Sequence, residues 1–97
     1  MTNKILCIPR IESTIKIDYI QKAFERVKIG NIQKIVEIPH RNNPVYKRII
    51  IYIELNASSP NTKIIENRFC LKQDVKIIHQ FPWYWKIVEA SFIPQKK

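Results

Sequence analysis

Residues 46–55 carry the strongest strand pattern of the chain. Ile49, Ile51, Ile53 and Leu55 fall on one side of an extended chain, and Arg48, Ile50, Tyr52 and Glu54 on the other. This is the pattern of a half-buried strand. Residues 4–11 are rich in Ile and Leu and predict another strand, stopped by Pro9 and Arg10. The period then changes: Ile17, Ile20, Phe24 and Val27 recur at helical spacing, with Lys16, Asp18, Lys22, Glu25 and Arg26 on the solvent side. Ser13 and Thr14 offer an N-cap, and the helix is expected to end near Lys28. Gly30, the only glycine of the chain, suits a helix C-cap that needs positive φ.

Residues 32–38 predict a second strand, and 39–44, with two prolines and an Asn pair, a loop. After a turn at 56–61, Ser59 followed by Pro60 marks a helix start. That helix runs to about Leu71 and buries Ile65 and Phe69. Residues 75–79 and 83–91 predict two further strands, separated by a turn at Phe81 and Pro82. Residues 92–97 form a frayed basic tail. There is no internal repeat or domain boundary, so 1–97 reads as a single domain. The order is βαββαβ with an additional C-terminal strand. It predicts an α+β, ferredoxin-like sandwich with strands 1 and 3 central and both helices on one sheet face. The other face is left open to solvent, a second copy or a ligand.

The last strand carries the densest chemistry. Pro82-Trp83-Tyr84-Trp85-Lys86 holds both tryptophans. Alternation puts Trp83, Trp85, Ile87 and Glu89 on one face and Tyr84, Lys86, Val88 and Ala90 on the other. The first face would anchor the core. The second would present a ring and a cation on the open sheet, as domains that stack nucleotide bases do. Packing alone accounts equally for all three rings.

Charge sharpens this picture. The chain has 17 Lys and Arg against 8 Asp and Glu, a net charge of +9. Such an excess favours a polyanionic partner, with nucleic acid leading. An anionic membrane surface lacks a basic amphipathic helix to serve it, and no membrane span is expected. The 20 Ile and 12 Lys beside one Gly and three Ala also match an AT-rich coding bias, which inflates lysine without selection. Cys7 and Cys70 are too far apart in sequence for a metal-ligand pair, and His40 and His79 are isolated, so neither a metal nor another cofactor is expected. The eight carboxylates are scattered among lysines. With no nucleophile–base pair and no glycine-rich phosphate loop, an enzyme is not expected.

On these residues the chain resembles an RNA recognition motif (RRM). Leu6-Cys7-Ile8-Pro9-Arg10-Ile11 resembles the first-strand motif, with Cys7 where an aromatic is usual. Residues 48–55 resemble the third-strand motif, with Arg48 in the basic place, Ile50 in the first aromatic place and Tyr52 in the second. The helix, the Ile-Gly pair, the following strand and the late Pro-Trp-Tyr-Trp-Lys also look like small RRM-like proteins of large DNA viruses. The resemblance implies an intracellular protein, in host cytoplasm or virion, that binds single-stranded RNA on its open sheet, with DNA the other nucleic-acid ligand. Tyr52 is the stacking candidate or else a cross-strand packing partner. Arg48, Lys47, Arg41, Lys86, Lys4 and Arg10 are candidate phosphate contacts, with Lys76 extending the patch, or else solvated charges. Cys7, Ile50 and Tyr84 are candidate sheet-face contacts. The alternative is a homodimer or a viral or host protein partner, held by Ile50, Tyr52 and Cys7 as an apolar face.

Overall fold

The computed structural model describes residues 2–80 and 83–90. It is an α+β domain of two helices and a five-stranded antiparallel sheet. The elements are β1 (Thr2–Glu12), α1 (Ile17–Val27), β2 (Gly30–Pro39), β3 (Tyr46–Leu55), α2 (Pro60–Cys70), β4 (Val75–Gln80) and β5 (Trp83–Glu89). The strands lie in the order β2-β3-β1-β5-β4. The strand beside β1 is therefore the last of the chain, and β4 lies at the edge. The additional strand is inserted rather than appended. β5 carries the fully buried Ile87 and the buried Trp85, which belong in the sheet interior, whereas β4 is short and carries exposed Lys76 and Ile78. The turn expected at Phe81 and Pro82, Ser91 of the fifth strand, and the tail at 92–97 lie outside the described residues.

The alternation of β3 is borne out: Ile49, Ile51, Ile53 and Leu55 are buried. They meet Leu6 and Ile8 of β1, Ile20, Ala23 and Phe24 of α1, Ile65 and Phe69 of α2, and Trp85 and Ile87 of β5 in one core. Burying each such side chain stabilises the fold by about 1.5–3 kcal/mol before entropy is counted. Thr62 is buried with them, and its hydroxyl donates to the carbonyl of Ile29 at 3.0 Å.

Two expected helix boundaries are corrected. Neither Ser13 nor Thr14 caps α1. Ser13 donates its N–H to Val45 at 2.8 Å, across the end of the sheet, and the N-cap is Lys16, with no side-chain bond. Asp18 in the first turn supplies the negative charge that a helix start favours. At the other end the left-handed residue is Lys28, at φ 54° and ψ 48°. Gly30 instead opens β2, where a Cβ would lie 2.1 Å from the carbonyl oxygen of Glu54 on β3. The glycine keeps the positive φ expected of it, 157°, and also allows the close approach between strands.

Candidate nucleic-acid interface

Strand register assembles the face turned away from the helices. Val36 on β2 pairs with Ile50 on β3, Ile50 with Cys7 on β1, and Cys7 with Val88 on β5. This apolar row crosses four strands. Lys34 pairs with Tyr52, and Tyr52 with Ile5, on one side of it. Ile38 pairs with Arg48 on the other, and Lys86 pairs with Lys76 and Tyr84 with Ile78 across the β4–β5 hairpin.

Three tyrosines in this arrangement each carry a cation over the ring. The Arg10 guanidinium stands 4.0 Å from the Tyr46 centroid, Lys76 Nζ 5.1 Å from that of Tyr84, and Lys34 Nζ 5.7 Å from that of Tyr52. Each contact contributes about 0.5–1 kcal/mol at an exposed site and fixes a cation beside a flat ring. Tyr84 is 50 % exposed and Trp83 67 %. Trp85 lies on the opposite face, buried, with its ring edge-on to Tyr19 at 5.9 Å. Trp85 and Ile87 point inward and Tyr84 and Lys86 outward, as the alternation predicts, but Trp83, expected on the core-anchoring face, is largely exposed at the start of the strand.

β1 and β5 part company along this face. Their described pairing covers Leu6 with Glu89 and Cys7 with Val88. Pro9 cannot donate to a ladder, and β1 carries an irregularity in its pairing with β3 between Ile8 and Ile11. The gap is an open cleft of about 610 Å³ with Arg10, Glu12, Tyr46, Trp83, Tyr84 and Trp85 in its walls. A second hollow of similar size lies beside it, with Lys76, Lys86 and Asp74 added to Arg10 and the same hairpin aromatics. His40 sits in the β2–β3 loop with Nε2 2.9 Å from the Pro9 carbonyl.

Of the residues singled out in the sequence, Tyr52, Arg48, Arg10, Tyr84 and Lys86 belong to this face or its end. Arg48 is exposed, and Lys86 is an exposed partner of Asp74 at 3.3 Å. Arg41 is exposed in the loop between β2 and β3. Lys47 is a correction. Its phase matches Ile49, so it points to the helix side, is only 7 % exposed, and donates to the Ile15 carbonyl and the Glu37 carboxylate, both at 2.5 Å. Its ammonium is taken up by contacts within the fold. Lys4 is a second correction: in phase with Leu6, it lies on the helix side and pairs with Glu89 at 2.8 Å. Cys7 and Ile50 are on the face away from the helices but only 9 % and 5 % exposed. Burial pushes the Cys7 thiol above its ordinary value of 9.0, against a smaller opposing effect of the Arg48 charge.

Sequence reasoning passed over Lys34, Tyr46 and Glu12. Each was readable from strand phase, but only register brings Lys34 to Tyr52 and Arg10 to Tyr46. Among the described residues no group of three His, Cys, Asp or Glu could hold a metal ion, and no helix is long and apolar enough to cross a membrane. No family model, curated protein or solved structure matches the chain.

Proposed function

We propose that the protein is a non-enzymatic RRM-like module that binds single-stranded RNA on its open sheet face. The observation that carries this reading is the set of three tyrosines on that side, each holding a cation over its ring. A single strand offers unstacked bases to rings and phosphates to cations. Duplexes keep their bases stacked away from such a surface. The run β2-β3-β1-β5, covered by two helices, supports a ferredoxin-like core with β5 in the fourth place and β4 added at its edge.

The stacking ring at the sheet centre is Tyr52, and Arg48 contacts the backbone beside it, with Lys86 and Arg10 further along. Titration of labelled single-stranded RNA, single-stranded DNA and duplex DNA at two salt concentrations tests this. Single-strand binding that persists at physiological salt is expected, with Tyr52→Ala losing about 1–3 kcal/mol. Equal binding of all three, abolished by salt, would leave only generic charge. The competing reading, self-association through an apolar sheet face, draws on Ile50 and Cys7. These expose too little surface to drive it. A salt-resistant dimer that hides Tyr52 in light scattering would reverse that judgement.

A further inference from the structure

We infer that the cleft between the diverging ends of β1 and β5 takes one unpaired base of the bound strand and selects bases carrying an exocyclic amine. The inference rests on the single-strand reading above and names what one part of that surface recognises.

The walls are suited to a flat ring. Trp83 leaves 67 % of its surface in water although burial of an indole is strongly favourable. Tyr46 and Tyr84 stand nearby, each steadied by a cation, Arg10 at 4.0 Å and Lys76 at 5.1 Å. At about 610 Å³ the cleft is of a size that accepts a nucleotide.

The charges are sorted along it. Lys76 and Lys86 are paired on adjacent strands of the hairpin, on the side of the second hollow. Lys86 pairs with Asp74 in a contact that solvent screens and a phosphate can replace. Glu12, opposite Tyr46 on β3, lines the cleft but not the second hollow, and Arg10 lines both. A phosphate in the second hollow meets Lys76, Lys86 and Arg10, whereas one beside Glu12 meets Arg10 together with a like charge. With its phosphate toward the lysines, a nucleotide turns the edge of its base to the carboxylate.

That carboxylate only accepts hydrogen bonds. Cytosine N4, adenine N6 and guanine N1 and N2 donate to it. Uracil offers one N3–H flanked by two carbonyl oxygens, which the carboxylate repels. The cleft therefore takes cytosine, adenine or guanine ahead of uracil.

The experiment is a fluorescence anisotropy titration of the full chain with labelled eight-nucleotide oligo(C), oligo(A) and oligo(U) at physiological salt. Wild type is expected to bind oligo(C) and oligo(A) at least about fivefold more tightly than oligo(U), the low end for one good base contact. Glu12→Gln, whose amide both donates and accepts, is expected to abolish that preference while keeping oligo(C) binding. Trp83→Ala, at an exposed position, is expected to weaken all three oligomers about fivefold or more with unchanged circular dichroism. Three results overturn the inference while leaving the parent reading intact: a uracil preference, an unchanged preference in Glu12→Gln, or undiminished binding by Trp83→Ala where Tyr52→Ala binds weakly. Failure of every oligomer to bind wild type overturns both.

Discussion

Lys47 and Arg48 adjoin in β3, and the alternation of the strand sends them to opposite faces. Lys47→Ala removes a buried stem and leaves the Ile15 carbonyl without its donor. It is expected to cost about 1–3 kcal/mol in urea unfolding and to leave RNA affinity of the folded protein unchanged. Arg48→Ala should do the reverse, with stability within about 0.5 kcal/mol of wild type and weaker binding. Gly30→Ala drives a methyl group into the Glu54 carbonyl. A loss of about 1–3 kcal/mol is expected, read as a lower urea midpoint. Cys7 gives a pH signature. Its thiol titrates higher folded than unfolded, so the neutral form favours the native state. That contribution is complete below the unfolded value and is lost as pH rises through the folded one. The stability difference between wild type and Cys7→Ala is therefore expected to shift against wild type above pH 9.0. Urea titrations at pH 7.5 and 9.5 read the difference.

At the scale of elements, α1 closes on a non-glycine residue in left-handed geometry, Lys28. Lys28→Gly relieves the Cβ clash at some cost in backbone freedom. A net gain of about 0.5–1 kcal/mol is expected, a rise of roughly 2–8 °C in Tm. The positive φ expected of Gly30 is present, at 157°, but it serves the start of β2 rather than the helix cap, and the space between strands requires glycine as well. The elements themselves were legible because apolar periodicity decides which surface is buried, and β3 follows its pattern from Tyr46 to Leu55. Strand phase also contained the inward direction of Lys4 and Lys47, in step with Leu6 and Ile49. A count of positive residues ignores phase, and both were misassigned by it. Pairing was not legible. The shifts at Ile8/Ile11 and Ile32/Lys34 each add an unpaired residue, and no local signal fixes where a partner strand resumes. Tyr52 and Arg48 were therefore found from one strand, while Lys34, Tyr46 and Glu12 emerged only from neighbours.

Over the whole molecule, a charge of +9 acts at long range, but its phosphate contacts are local. Each contact released adds to the salt dependence, so Arg48→Ala is expected to flatten the slope of log Kd against log salt by about 0.7. Titration across four salt concentrations measures it, and an unchanged slope would remove Arg48 from the backbone path. Pro9 has a further bearing on how the chain is made. Residues 2–55 leave a ribosome before β5 does and contain β2, β3 and β1, while the strand that covers the other side of β1 begins only at Trp83. Through that interval β1 is a bare edge, open to pairing with a neighbouring nascent chain. A proline and an arginine in the middle of such an edge spoil it as a template. The residue that opens a cleft in the finished protein thus also guards the unfinished one. A chain stopped after Asp74 is expected to scatter more light with Pro9→Val than without it.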